Sequence, residues 1–169
     1  YLIGYAPRFD ALVQVGMHAM ANTPGACLCH SMSWGYVYRM NGREVGEMQM
    51  TAYAAGQFGC PWVFTSGDSH ACAEAEAWAP GMVTALVKEG ISSECAIHLS
   101  PPDARALIRE RAEASVAAAG SIEPLRIEGP VTLEIERESP WGDEERAGAE
   151  RVDDHTLRFV GDTAWQVLN

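Results

Sequence analysis

The sequence is short of positive charge. Its 169 residues include 12 lysines and arginines against 23 aspartates and glutamates, which gives a formal net charge of −11. Proteins that bind nucleic acid or anionic membrane surfaces carry basic patches, so we expect neither partner. The sequence contains no apolar run that approaches the roughly 20 residues of a membrane-spanning helix. It also has no basic-then-apolar segment of the signal-peptide type at its start.

Cysteine is present, but in no arrangement that indicates a disulfide framework. The sequence has 5 cysteines, and most lie in apolar runs, where a cysteine behaves as a small hydrophobic residue. We therefore predict a reducing, cytoplasmic location. Cys27 and Cys29 stand just before His30, but no second Cys/His pair at zinc-finger spacing accompanies them.

The sequence also lacks an initiator methionine and the common nucleotide-binding and hydrolase motifs. It begins at Tyr1 and runs at once into apolar residues, so we interpret it as the interior of a longer protein. It contains neither a glycine-rich phosphate-binding loop nor a G-x-S-x-G nucleophile elbow. Any chemistry is therefore expected from the histidines and the acids near them.

Apolar runs and helical segments alternate through residues 1–100. The predicted strands are 10–17, 26–30, 62–66 and 82–87, and the predicted helices are 48–58 and 69–79. An Asn41-Gly42 pair between apolar runs predicts a β-hairpin. The alternation predicts an α/β fold in which helices flank a mainly parallel sheet.

The pattern changes after residue 100. Ser100-Pro101-Pro102-Asp103 is a strong helix start, and this helix is predicted to end near Gly120. The later segments 125–127 and 131–137 alternate like strands with one solvated face. We predict residues 1–100 as an α/β core, and residues 101–169 as a helix plus a small α+β subdomain.

Three polar residues stand where the predicted strands and hairpin end. His18 follows the first strand, His30 ends the second, and Glu47 follows a glycine after the hairpin. Ligands of open α/β sheets gather at the carboxyl ends of the strands, and two imidazoles with one carboxylate suit zinc. The spacing matches no local zinc motif, and core histidines bonded to backbone carbonyls explain the same pattern.

Two further residues are candidates for substrate binding. Lys88 follows the predicted strand 82–87, where a lysine can hold a carboxylate or a developing oxyanion, or can simply lie at the surface. Asp68 is most economically a helix cap, and a carboxylate in that place can also orient a ligand.

Several short motifs follow one another in a specific order. They are Val15-Gly16-Met17-His18-Ala19, Thr23-Pro24-Gly25, Cys29-His30-Ser31, Asn41-Gly42-Arg43-Glu44-Val45-Gly46-Glu47, Ser66-Gly67-Asp68, Val87-Lys88-Glu89-Gly90 and Glu128-Gly129-Pro130-Val131-Thr132. This order resembles the C-terminal two thirds of the zinc-dependent D-aminopeptidase family of the dipeptide-operon type.

The resemblance implies an enzyme that releases N-terminal D-amino acids from short peptides or amides, with two zinc ions per complete subunit. It implies that His18 and Glu47 are metal ligands, that His30 is the catalytic histidine, and that the subunits form a ring-like homo-oligomer. The Ser-x-Asp-x-Glu-Gly signature of the family is not in this sequence. This supports a missing N-terminal part of about a hundred residues, an ordinary domain size.

Three other functions remain compatible with the residues. The first is a zinc amidase that acts on a non-peptide substrate, and the second is a non-catalytic assembly or binding fragment with an incomplete metal site. The third is a cysteine hydrolase that uses Cys29 or Cys72. Trp34, Tyr36 and Tyr38, three aromatic residues predicted on one strand face, are the predicted oligomer interface.

Overall fold

The computed structural model describes residues 9–142 and 147–169. Its strands are β1 (Leu12–Met17), β2 (Tyr36–Met40), β3 (Arg43–Val45), β4 (Trp62–Asp68), β5 (Val83–Ser92), β6 (Cys95–His98), β7 (Val131–Arg137), β8 (Glu150–Arg151) and β9 (Thr156–Gly161). Its α-helices are α1 (Glu47–Gly56), α2 (Ser69–Trp78), α3 (Pro101–Ala118) and α4 (Ala164–Leu168). Residues 1–8 of the predicted core and 143–146 of the predicted subdomain lie outside the described ranges. Within those ranges, no helix is both long enough and apolar enough to span a bilayer.

The first sheet has the strand order β1-β4-β5-β6. The strands β1, β4 and β5 run parallel, and β6 pairs antiparallel with β5. Every residue of β4 is buried, as expected for a strand between two parallel partners under covering helices. Side chains of α1, α2 and α3 pack against this sheet around Trp62 and Phe64. The predicted α/β class with a mainly parallel sheet is confirmed.

The second sheet is antiparallel, with the order β3-β2-β7-β9-β8. Its hairpin turns at Asn41 and Gly42, whose φ angles of 47° and 78° suit the predicted Asn-Gly turn. The strands β2 and β3 come from before residue 100 and the other strands come from after it. The division of the chain near residue 100 stays a prediction, and this sheet draws on both sides of it.

Helix α1 lies between the two sheets. Met48 and Ala52 belong to the core of the first sheet, and Met50 and Tyr53 belong to the core of the second. The helix is therefore apolar on two sides rather than on a single stripe. Its first residue is Glu47, so the position of this carboxylate depends on both cores.

The prediction of a strand at 26–30 is wrong, because this segment is a loop of turns. Leu28 has a φ of 55°, a left-handed conformation that a strand does not contain. Ala26 and Cys27 are buried because the loop packs closely on Gly90 of β5, where a Cβ would lie 3.1 Å from the Cys27 nitrogen. The apolar run thus reflects burial beneath a loop and not a sheet.

Two later segments also differ from the prediction. Residues 95–98, for which no strand was expected, form β6 and place His98 at its end. Residues 125–127 belong to no strand, because they pack against α1 instead of a sheet edge. The close approach is at Gly56, where a Cβ would lie only 1.9 Å from the carbonyl oxygen of Leu125.

Candidate metal centre

Three side chains from distant parts of the chain converge at the carboxyl edge of the parallel strands. His18 directly follows β1, His30 lies in the next loop, and Glu47 begins α1. The Nε2 atom of His18 lies 3.9 Å from Glu47 Oε2, and the Nε2 atom of His30 lies 3.8 Å from Glu47 Oε1. The two imidazole rings stack with centroids 4.0 Å apart. The structure therefore brings together the three residues that the sequence singles out.

Each imidazole is anchored through its other nitrogen. His18 Nδ1 bonds to the carbonyl oxygen of Ala19 at 3.0 Å, and His30 Nδ1 bonds to that of Leu28 at 2.7 Å. A carbonyl oxygen can only accept, so Nδ1 is the donor in both rings and the Nε2 lone pairs are free in the neutral tautomer. Metal-binding histidines are commonly held in this way.

The donor atoms fit a zinc ion. Two lone pairs and a carboxylate face one another at distances too long for hydrogen bonds, an arrangement that is repulsive unless a cation or a proton lies between them. Two ligands bound to one zinc at about 2.0–2.2 Å each lie at most roughly 4.4 Å apart. One potential donor atom from each of the three side chains lies within 4.8 Å of the other two. The two histidine–glutamate distances, 3.9 and 3.8 Å, are shorter than the maximum of roughly 4.4 Å.

Glu47 is held in place by its surroundings. Its side chain is 13% exposed and stands in the first turn of α1, where the helix dipole favours negative charge. The backbone N–H of Met32 donates to Glu47 Oε1 at 2.7 Å. The loop that carries His30 is thus joined directly to this carboxylate.

The predicted substrate-binding residues Asp68 and Lys88 both lie on strands of the first sheet. Asp68 is fully buried at the end of β4, where it accepts from the N–H of Ala71 at 2.8 Å and of Cys27 at 3.2 Å. It therefore caps α2 and fastens the loop 18–35 to the sheet. Lys88 is half-buried on β5, in register with Asp68 and with His98. The contacts of the described residues do not join Asp68 or Lys88 to the three converging side chains.

A partly buried bridge, for which no sequence motif was recognised, links the loop after His18 to α1. Glu74 of α2 accepts from Met20 N–H at 2.9 Å and from Gln49 Nε2 at 2.7 Å. Gln49 Oε1 in turn accepts from the N–H of Gly46 at 2.9 Å. Burial raises the pKa of Glu74. A glutamine three residues into a helix is a capping signal, but nothing in the alternation of alanine and glutamate along α2 marks Glu74.

Trp34 has a different place from the one predicted. It lies before β2 rather than within it, is 62% exposed, and stacks on His30 with centroids 5.2 Å apart. Tyr36 and Tyr38 do share a strand and stack on each other. The prediction that the three aromatic residues lie on one strand face is therefore wrong for Trp34. Trp34 and His30 instead line a cavity of about 530 Å³ beside the candidate centre.

The thiols of Cys72 and Cys29 differ in how readily they can act as nucleophiles. Burial raises the pKa of the Cys72 thiol to about 11, so this thiol stays protonated near neutral pH. A nucleophilic cysteine needs thiolate character and access, which argues against Cys72 in that role. Cys29 is half-buried and lines the same cavity as His30.

Comparison with known proteins identifies the family. The model of peptidase family M55, described as D-aminopeptidase, matches residues 2–169. The chain belongs to this family, and the resemblance seen in the order of its motifs is confirmed.

Individual relatives agree with this assignment. The D-aminopeptidase of Bacillus subtilis (strain 168) is 35% identical over 134 residues, which are 79% of this chain and 48% of that protein. The solved structure of the Zn-dependent D-aminopeptidase DppA from Bacillus subtilis, described as a self-compartmentalizing protease, matches with a TM-score of 0.86 at 28% identity. That match covers 98% of this chain and 63% of the other. The chain thus spans about half the length of the curated relative.

Proposed function

We propose that this chain forms the C-terminal part of a zinc-dependent aminopeptidase that releases N-terminal D-amino acids from short peptides or amides. The observation that carries the proposal is the convergence of His18, His30 and Glu47, with both imidazole Nε2 atoms turned toward the carboxylate. Membership of the D-aminopeptidase family supplies the reaction class. The name of the solved relative, a Zn-dependent enzyme, supports the choice of metal.

In this proposal His18 and Glu47 hold the metal. A zinc ion bound there would polarise the scissile carbonyl and lower the pKa of a water molecule. Glu47 is preorganised because the Met32 N–H and the start of α1 fix its carboxylate, and His18 is fixed by its bond to the Ala19 carbonyl. Two protein ligands hold zinc poorly, so we propose that acids and a histidine outside this sequence complete a site for two ions.

His30 acts on the substrate in this proposal. Its Nδ1 is occupied by the Leu28 carbonyl, so Nε2 is the atom that can take a proton from a water or attack a carbonyl. Its ring lies between those of His18 and Trp34, which limits its rotation. Asp68 and Lys88 are proposed to support substrate binding, Asp68 through the loop that it fastens to the sheet.

The test is metal content and turnover in the full-length protein. We expect zinc to copurify, and hydrolysis of a D-alanyl amide to exceed that of its L-alanyl counterpart. His30→Ala should keep zinc and lose turnover, whereas His18→Ala should lose both, because only the second change removes a ligand. His98→Ala, at the exposed end of β6, is the matched control and should behave as the wild type.

Three results would contradict the proposal. They are a full-length protein that binds no zinc, one that binds zinc but hydrolyses no D-amino acid derivative, and a His18→Ala variant with unchanged zinc content. Activity that survives zinc removal and is lost on thiol alkylation would favour a cysteine hydrolase instead.

We further propose that the protein acts in the cytoplasm as a ring-like homo-oligomer. Support for the assembly comes from the relative described as a self-compartmentalizing protease. Light scattering of the full-length protein at micromolar concentration tests the assembly, and a monomer would contradict it.

A further inference from the structure

A partly buried chain of hydrogen bonds connects the segment after His18 with the start of α1. It runs from the Met20 N–H to Glu74, from Glu74 to Gln49, and from Gln49 to the N–H of Gly46, with donor–acceptor distances of 2.9, 2.7 and 2.9 Å. Met20 lies two residues after His18, and Gly46 directly precedes Glu47. The chain of bonds therefore ends next to both proposed metal ligands without contacting either of them.

These bonds join parts of the molecule that are distant in sequence. A long loop and the β2–β3 hairpin separate His18 from Glu47 along the backbone. Glu74 stands on a third element, α2, and its carboxylate uses one oxygen for each side of the connection. Gln49 is fully buried at 0% exposure, so water is not available to replace a bond that is lost at its amide.

The chemistry of the bridge requires a double acceptor at position 74. Both partners of Glu74 are N–H donors, and glutamine of the same shape would turn an NH₂ group toward one of them. Gln49 cannot compensate by rotating its amide, because its oxygen already accepts from Gly46. Burial disfavours the charged form of a carboxyl group at this position, as the raised pKa of Glu74 indicates. The presence of a glutamate is therefore explained by the two N–H donors that it must accept from.

We propose that Glu74 is a positioning residue for the metal site, which holds the segment after His18 and the start of α1 at the separation at which His18 and Glu47 can contact one ion. This inference rests on the proposed zinc site but not on the substrate. Groups that hydrogen-bond directly to metal ligands commonly contribute 10- to 100-fold to metal affinity, and Glu74 acts one step further away, through Met20 and Gln49. Glu76 is the natural comparison, since it lies on the same helix but is exposed and accepts from Thr84 at 2.6 Å.

The experiment compares three variants of the full-length protein, with Zn²⁺ and Co²⁺ as probes. E74Q removes one hydrogen bond without changing volume. In the double variant E74Q/Q49E, the amide at position 74 donates to the carboxylate at position 49 while its oxygen still accepts from Met20. The carboxylate at position 49 still accepts from Gly46, so the whole chain of bonds is restored. E76Q is the matched control on the same helix.

We expect E74Q to lower the Zn²⁺ affinity of the folded protein by about 10-fold, the lower end of the range for direct partners of metal ligands. We expect E74Q also to change the visible spectrum of the Co²⁺ form and to speed hydrogen exchange at the Met20 amide. The double variant should recover Zn²⁺ affinity to within about threefold of the wild type, and E76Q should match the wild type. Circular dichroism and thermal unfolding verify that each protein is folded at the temperature of measurement.

Any of four results would overturn the inference. In the first, folded E74Q keeps wild-type Zn²⁺ affinity and Co²⁺ spectrum while only its thermal stability falls, which is the result of a purely structural role. In the second, the folded double variant binds Zn²⁺ no more tightly than E74Q does. In the third, E76Q loses as much Zn²⁺ affinity as E74Q. A wild-type protein that binds no Zn²⁺ is the fourth, and it overturns the proposed function as well. Normal zinc binding without peptide hydrolysis contradicts the proposed function alone.

Discussion

The two sheets of this molecule use their carboxylates in different ways. At the carboxyl edge of the first sheet, Asp68 and Glu74 are buried or largely buried and accept hydrogen bonds from backbone N–H groups of the loop above them. On the second sheet, Glu44, Glu134 and Glu136 lie on a solvated face and pair with arginines across the strands. The core beneath that second face consists of apolar side chains and tyrosine and tryptophan rings.

The buried carboxylates fix the position of backbone segments, whereas the exposed ones keep the protein surface solvated. A buried carboxylate that accepts from a particular N–H fixes one loop conformation, and its loss leaves unpaired donors in the interior. An exposed ion pair contributes little to the free energy of unfolding, and salt screens the attraction between its charges. The fold therefore places its geometrically demanding polar contacts around the candidate metal centre, while the second sheet holds α1 in place by apolar packing.

Asp68→Ala should produce the largest effect. It removes the cap of α2 and leaves the N–H groups of Ala71 and Cys27 unpaired, so we expect a loss of about 2–4 kcal/mol in the free energy of unfolding. Zinc affinity should fall as well, because the loop is released. Urea titration checks the stability. Ser100→Ala, which removes the exposed cap of α3, should cost less, and an equal cost for the two variants would contradict the comparison.

The Cys72 thiol should react about two orders of magnitude more slowly than the thiol of an unfolded chain at pH 8. Burial raises the pKa of Cys72 to about 11, whereas an unfolded thiol ionises near 8.5. At pH 8 we therefore expect Cys72 to resist a disulfide reagent while the exposed Cys95 reacts. The sign for stability follows, since the folded state keeps a proton that the unfolded state loses: this contribution is present below about pH 8.5 and is lost as the pH rises toward 11. Rapid native labelling of Cys72 would show that the packing around α2 is open.

Trp34→Ala should affect catalysis more than stability. The indole is mostly exposed and stacks on His30, and an aromatic pair of this kind contributes about 0.5–1.5 kcal/mol. We expect kcat/KM to fall about 2- to 10-fold, with unchanged zinc content and melting temperature. Trp34→Phe should retain most of the activity. A fall in zinc content in the alanine variant would mean that Trp34 supports the metal ligands rather than His30.

Arg39→Ala should have the smallest effect. Arg39 pairs with Glu136 at 2.6 Å and with Glu44 at 3.0 Å on the exposed face of the second sheet. Exposed pairs contribute up to about 1 kcal/mol, and less in salt. The difference in unfolding free energy from the wild type should shrink between 0.05 and 0.5 M salt by screening. A salt-independent loss as large as that of Asp68→Ala would remove the distinction between the two sheets.

The sequence allowed the prediction of those parts that depend on local patterns. Alternating apolar runs and capped helices predicted the parallel sheet, and the Asn41-Gly42 turn predicted the hairpin. His18 and Glu47 were singled out because the end of a strand and the end of a hairpin can be recognised in the sequence. The roles assigned to His18, His30, Glu47, Asp68 and Lys88 stay predictions.

The parts that were missed depend on contacts between distant segments. The apolar residues at 26–30 predict a strand because burial beneath a loop and burial in a sheet select the same residue types. The left-handed φ of Leu28 leaves no mark in the sequence. Glu74 and Glu76 look alike in sequence, yet one lies inside the bridge and the other binds Thr84 at the surface. Only the packing of α2 against α1 and the loop distinguishes them.

Because α1 lies between the two cores, unfolding of one core is coupled to unfolding of the other. Met48 packs on one side of the helix and Met50 on the other, so neither core can separate without exposing an apolar side of α1. We expect the described parts of both sheets to unfold in one cooperative transition, and the α1 amides to exchange with solvent only through that global event. Glu47, at the start of this helix, then keeps its position through every partial opening of the protein.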